Sequence, residues 1–367
     1  MCSSDLGGEF HVYGGSVTSW WAYARPAALN MIDGLVYFHS QGIEIPASGA
    51  TLNISGGTLR TDGNFSLGIN GFNAPNWTLY LSGTQDTGLW LAENAWLNNL
   101  VIDKSGRESV AIMRNRNGSP YPQTRNNTVY ANTNLRIAAN FNTLNGGLSA
   151  PAIMEVKGNW QGASTASFYG NNGRVVFSGD QLSQISVSSG FYDLEIYKQC
   201  DGLGVQLSSG VIINVSNQLN IISGGLGTTD HNVIDVNNDL TINNGAGLNL
   251  SGEAIELSLE GDVVNDNEDN TPVTGFYPGS SLTIFEGSDD QFFTAPTPIS
   301  FHDLRIGIYN ASFRPNRGVY AHDLEIVRGG YYPTPTASNC VLYGDLYVHY
   351  YGRWWDHNNI LVLTGNE

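Results

Sequence analysis

Three times along this chain a short apolar strand runs into a glycine and a glutamine, and an aromatic-led strand follows. The first instance is Thr78-Leu79-Tyr80-Leu81-Ser82-Gly83-Thr84-Gln85, resuming at Trp96-Leu97-Asn98-Asn99-Leu100-Val101-Ile102. The second is Val175-Val176-Phe177-Ser178-Gly179-Asp180-Gln181, resuming at Phe191-Tyr192-Asp193-Leu194-Glu195-Ile196. The third is Leu282-Thr283-Ile284-Phe285-Glu286-Gly287 with Gln291 shortly after, resuming at Phe301-His302-Asp303-Leu304-Arg305-Ile306. A fourth begins at Leu361-Val362-Leu363-Thr364-Gly365. Repetition of this kind points to a stacked array, in which each unit buries its apolar face on its neighbour.

A finer rhythm runs inside the long repeat. Strand-like cores centre near Leu100, Leu135, Val156, Val176, Leu194, Leu219, Leu240, Leu257, Leu282, Leu304, Leu324, Leu346 and Leu361. Their mean spacing is about 22 residues, the length of a solenoid turn. Each core alternates apolar and polar, as in Leu219-Ile221 and Leu240-Ile242, and Gly- and Asn-rich corners such as Ser223-Gly224-Gly225 separate them. One such strand cannot bury itself. Stacked on a copy one turn away, it forms a continuous core and satisfies its backbone groups between rungs. The expected fold is therefore all-β, a right-handed parallel β-helix or close β-solenoid relative.

The competing architecture is a string of tandem β-sandwich domains. Gly83, Gly179 and Gly287 are 96 and 108 residues apart, which suits sandwich length. Against it, each long unit subdivides into similar single-strand rungs. Rungs also look inserted between Asn237 and Gly279, which a closed sandwich does not tolerate.

Composition agrees. Charged residues make up 13% of the chain, against roughly 25% in an average globular protein. Its 44 glycines and abundant Asn, Ser and Thr are turn formers, and amphipathic helical stretches are almost absent. The net charge of -17 at pH 7 repels phosphate backbones and argues against nucleic-acid partners. No stretch is apolar and long enough for a membrane-spanning helix. Cys2, Cys200 and Cys340 have neither disulfide-framework nor metal-ligand spacing, so free, part-buried thiols are expected.

Three segments are expected. Cys2-Ser3-Ser4-Asp5-Leu6 resembles the translation of a common sequencing-adapter end, which puts residues 1–6 outside the native protein. Residues 7–75 look like irregular N-terminal turns, with Thr51-Leu52-Asn53-Ile54-Ser55-Gly56-Gly57 matching the later rungs. Residues 76–367 look like a regular solenoid cut off inside a new repeat, so the chain is taken as an internal fragment of a longer protein with flanking domains.

The Gly-x-Gln corner, the aromatic-led x-Asp-Leu-x-Ile strand and the following Leu-x-Ile-x-x-Gly-Gly rung resemble large secreted repeat proteins of Bacteroidota. Those are often exported by the type IX route and carry a C-terminal sorting domain. The match covers roughly Leu79 to Glu367. It implies a solenoid fold and an extracellular or bacterial cell-surface location, and it brings no common catalytic motif.

Candidate sites are few. Lys104 and Lys198 follow the aromatic-led strand at the same offset, where a β-helical lyase would place a base; Ile308 takes that position in the third repeat. Recurrence at equivalent points favours a structural or solvated role instead. The acidic run Glu260, Asp262, Asp266, Glu268 and Asp269, with Asn265, Asn267 and Asn270, offers hard oxygen ligands for calcium but lacks EF-hand spacing. Two aromatic clusters, Trp20, Trp21 and Tyr23, and Tyr350, Tyr351, Trp354 and Trp355, are candidate platforms for polysaccharide or cell-surface glycan, the alternative being a role in the core. Asp356 and His357 adjoin the second. No nucleophile elbow, zinc-protease motif or phosphate loop occurs. The expected function is a non-enzymatic, adhesin-like structural segment of a surface or secreted protein. The alternative is a β-helical carbohydrate-active enzyme, a polysaccharide lyase or glycoside hydrolase.

Overall fold

The structure is a computed structural model that describes residues 9–19, 23–24, 27–39, 42–104, 128–164, 166–335, 339–355 and 360–364. Among these residues there is no helix, and hence none that is long and apolar enough to cross a membrane. The described residues are all-β, with parallel strands stacked as a β-solenoid in rungs of about 21 residues. Parallel pairing removes the sandwich alternative, whose sheets are antiparallel. Two compact units are present, Met1–Gly173 and Arg174–Glu367.

In the N-terminal unit three short strands make one turn. Glu9–Val12, Ser16–Ser19 and Tyr23–Ala24 are followed by Ala28–Met31, Leu35–Phe38 and Gly42–Ile45, each stacked on the strand three places before it. Thr51–Ile54, Gly57–Thr61 and Asn64–Leu67 repeat that spacing, whereas Trp77–Ser82 and Thr87–Leu91 stack two places back, on Gly57–Thr61 and Asn64–Leu67. Inward positions fall in register from turn to turn, so Val36, Leu59, Leu79, Leu100, Phe141 and Trp160 form one interior column, all buried. Burying a side chain of this size contributes roughly 1.5–3 kcal/mol, and the column repeats the gain at every rung. The outward side of the same sheet carries Tyr37, Arg60 and Tyr80 in register, with the Arg60 guanidinium 4.4 Å and 4.9 Å from the two ring centroids.

The C-terminal unit has the same three faces. Leu194, Leu219, Leu240 and Val263 stack on one, and Ile213, Ile234 and Leu257 on its neighbour. Leu257 and Leu282 are therefore not the next members of the Leu194 column, as equal spacing suggests, but belong to the adjacent face. The second long repeat lies on the Leu194 face and the third on the Ile213 face. Further on, Asp303–Pro315, Asp323–Tyr331 and Leu346–Trp354 are long enough to run across a corner and serve both faces. Phe285, Phe293, Phe301 and Phe313 fill the interior between them, with centroids 4.3–6.3 Å apart.

The motif glycines have one conformational job. Gly83, Gly179 and Gly287 sit at φ 89°, 87° and 111°, in the region that side chains with a Cβ avoid. Each turns the chain out of a strand and into the corner that follows.

Candidate functional site

The repeated lysines are structural. Alternation places Leu100, Ile102 and Lys104, and likewise Leu194, Ile196 and Lys198, on the inward side of their strands, and both lysines are buried. Lys104 Nζ donates to the Ser82 carbonyl, to Thr87 Oγ1 and to the Asp62 carbonyl at 3.1 Å. Lys198 Nζ donates to the Gln181 carbonyl at 2.9 Å and to Ser183 Oγ at 2.6 Å. Burial lowers each ammonium to about 8. In the third repeat Ile308 brings no charge, and Gln291 stands where Thr87 and Ser183 stand, at the start of the next strand. Its Nε2 donates to the carbonyls of Glu286 and Leu259, at 2.5 Å and 3.0 Å. Gln85 and Gln181, by contrast, are exposed. The corner needs an inward donor, and the glutamine supplies it only where the lysine is missing.

A bulge accompanies each of these corners. The register shifts between Ile102 and Asp103, between Ile196 and Tyr197, and between Ile306 and Gly307. The extra residue bends the strand at the point where the chain must turn.

The acidic run does not form a ligand set. Glu260, Asp266, Glu268 and Asp269 are exposed, and Asp262 Oδ1 accepts the Phe292 N–H at 2.9 Å. The neighbouring amides are spent on the loop itself. Asn267 bonds Asn243 and Asn265, and Asn270 Oδ1 accepts from Asn265 Nδ2 and the Phe276 N–H. No three of these carboxylates are gathered within ligand distance of one another. Carboxylates do meet elsewhere. Asp235 and Glu260 are both raised, first by burial and then by the charge of Glu286, which Ser258 Oγ–H contacts from the next strand.

Of the first aromatic cluster, Trp20 and Trp21 lie outside the described residues, and Tyr23 belongs to a strand paired with Gly42–Ile45. The second cluster divides. Neighbours in a strand point to opposite sides. Trp354 turns inward and stacks on buried Tyr331, centroids 4.6 Å apart and planes 9° from parallel. Trp354 is thus part-buried on the side of the core, away from the outward rings. Tyr350, Tyr351 and Trp355 are exposed, at 93%, 66% and 37%. Asp356 and His357 lie outside the described residues.

Tyr351 and Trp355 belong to two columns that composition alone does not reveal. In one, the Arg328 guanidinium lies 5.0 Å from the Tyr309 ring centroid and 5.9 Å from that of Tyr351. In the other, Arg314 lies 5.9 Å from Phe292 and 4.6 Å from Tyr332, whose ring meets Trp355 edge-on at 5.5 Å. Arg314 is held by Asp290 at 2.7 Å. Rings and a guanidinium thus alternate from turn to turn in the first column, and in the second the alternation ends in the ring pair Tyr332–Trp355.

Beside the columns runs a groove of about 380 Å³ lined by Asp303, Arg305, Asp323, Glu325, Tyr347 and His349. Arg305 Nε donates to Glu325 Oε2 at 2.6 Å, and His349 Nε2 lies 2.8 Å from Oε1. The Arg305 hydrogen bond holds the Glu325 carboxyl below its usual range. Flat apolar faces flanked by planar donors and acceptors suit a ring with C–H on its faces and hydroxyls on its edge. No known protein family, curated protein or solved structure matches the chain.

Proposed function

We propose that this chain is a non-enzymatic, extracellular structural and adhesive segment of a larger surface or secreted protein, and that it contacts polysaccharide. The observation that carries the proposal is the pair of outward aromatic–arginine columns, Tyr309–Arg328–Tyr351 and Phe292–Arg314–Tyr332–Trp355. Exposed rings repeated at turn spacing offer successive stacking platforms to a linear polymer, and the stacked backbone holds them without rearrangement. A glycan array followed by calorimetry tests this. Binding to at least one polysaccharide is expected, with loss on Tyr351→Ala or Trp355→Ala. An array with no bound sugar sinks the adhesive role and leaves a spacer.

The second reading, a β-helical glycoside hydrolase, draws on Asp235, Glu260 and Glu286. Burial and the charge of Glu286 raise the Asp235 and Glu260 carboxyls, the direction a general acid needs, and neighbouring carboxyls are what glycoside hydrolysis uses. Release of reducing ends from a polysaccharide panel, abolished by Glu286→Gln, is the outcome that favours it over the adhesive role.

A further inference from the structure

Corner Asx residues have a recurrent duty in this coil. Asn99 and Asn140 Oδ1 accept the N–H groups of Asn140 and Asn159, at 3.2 Å and 3.0 Å. In the C-terminal unit Asp193, Asp239, Asp262 and Asp323 Oδ1 accept from Gln218, Asp262, Phe292 and Asp345. Each tethers one turn to the next. Asp303 does not: the N–H of Asp323, its counterpart one turn on, goes to the His302 carbonyl at 3.2 Å.

The freed oxygen faces two imidazoles. Asp303 Oδ1 is 3.0 Å from His302 Nδ1 and 3.9 Å from His322 Nδ1, and the three atoms all lie within 4.8 Å of one another. All three are shielded from solvent, and none has a hydrogen-bond partner: the short His302–Asp303 approach lacks hydrogen-bond geometry. The two rings stack 5.1 Å apart, 9° from parallel, on successive turns. One turn further the chain carries Gly344, where a Cβ would collide with the Asp323 carboxylate and press on the His322 ring. Asp323 Oδ1, 3.3 Å from His322 Nδ1, adds a second negative charge beside the cluster.

We propose that His302 Nδ1, Asp303 Oδ1 and His322 Nδ1 bind one divalent first-row transition-metal ion, zinc above all. Two imidazole nitrogens and one carboxylate oxygen are a donor set for zinc, nickel or copper and not for calcium or magnesium, which take oxygen. Three protein ligands leave a fourth position, and the part-exposed side chains open it to solvent. An ion there links two successive turns at a corner where the Asx tether is absent. Asp303 also lines the groove, so the open position stands next to the proposed polysaccharide surface.

The test uses the untagged full chain, stripped with a chelator and titrated with zinc chloride by calorimetry, with cobalt(II) absorption in parallel. Wild type should take up a single zinc ion and give a tetrahedral cobalt spectrum. His322→Ala and Asp303→Asn should each weaken zinc binding about tenfold or more. His302→Ala/His322→Ala should lose the cobalt spectrum, and zinc should raise the melting temperature of wild type but not of this variant. Asp303→Asn preserves shape and decides the matter if an alanine variant does not fold. Equal zinc affinity in wild type and Asp303→Asn, or no uptake at about millimolar zinc, overturns the proposal.

Discussion

The ammonium of Lys198 lies 2.9 Å from the carbonyl oxygen of Gln181, inside the coil and closed off from solvent. An unpaired buried ammonium is strongly disfavoured, and this carbonyl, with Ser183 Oγ, is what makes the position tolerable.

The lysine corners should make stability rise in mild alkali. Lys104 and Lys198 are lowered from 10.5 to about 8 in the folded chain. Between those values the unfolded chain holds more protons, so stability increases with pH across that window. The gain is at most about 3 kcal/mol per lysine. Above pH 10 Tyr80, raised to about 12 by burial and by its hydrogen bond to Asp103, works the other way: the folded chain keeps a proton that the unfolded one loses. Urea midpoints should climb from about pH 7.5 to about 9.5, and Lys104→Met/Lys198→Met should flatten the climb. An unchanged slope in the variant would show that the lysines are not its source.

The corner donors should be exchangeable. Gln291→Ser leaves the buried carbonyls of Glu286 and Leu259 without their amide, a loss of about 1–3 kcal/mol. Adding Ile308→Lys rebuilds the arrangement of the first two repeats. The double variant Gln291→Ser/Ile308→Lys should regain part of the lost stability, read as a coupling in a double-mutant cycle. Simple additivity would refute the equivalence.

Asp62 should matter at neutral pH and cease to matter in acid. Burial pushes its carboxyl up, but donors from Ser82, Tyr37 and His39 outweigh burial and hold it below the ordinary carboxylate range. Its stabilisation is therefore present above that range and is lost as pH falls through the lowered value. Asp62→Asn should cost about 1–3 kcal/mol at pH 7, and the gap to wild type should narrow below about pH 4. Chemical denaturation at several pH values measures it.

Trp354 and Trp355 should separate folding from binding. Trp354→Ala removes the ring stacked on Tyr331 and should lower stability by about 1–3 kcal/mol. Trp355→Ala should change stability by no more than about 0.5 kcal/mol and weaken any polysaccharide bound. The reverse pattern would put the platform on the wrong tryptophan.

The solenoid was legible from rung spacing, because like strands with one apolar side have few other ways to bury it. The inward place of the lysines was legible too: Leu100-Ile102-Lys104 is a plain period of two. What satisfies them was not, since the acceptors come from segments up to 42 residues earlier in the chain. The same period separates Trp354 from Trp355, which composition groups as one aromatic cluster. His302 and His322 stand at the same place in successive x-Asp-Leu corners, a signal visible at the rung period. Their convergence was hidden because a corner aspartate normally tethers the next turn, and only the hydrogen bonds reveal that Asp303 does not. The shift of Leu257 to a neighbouring face was illegible because loop lengths between strands vary.

The placement of the second and third long repeats on different faces of the C-terminal unit has a consequence for how such a coil can change. A copied segment that is not a whole number of turns enters out of phase, and still stacks, because every face offers the same parallel ladder. The increment of growth is then the single strand. One strand added ahead of Ser300 would move the histidine pair to the next face of its unit while keeping the pair's own contacts, so the direction in which a motif is presented is set by the length of what precedes it.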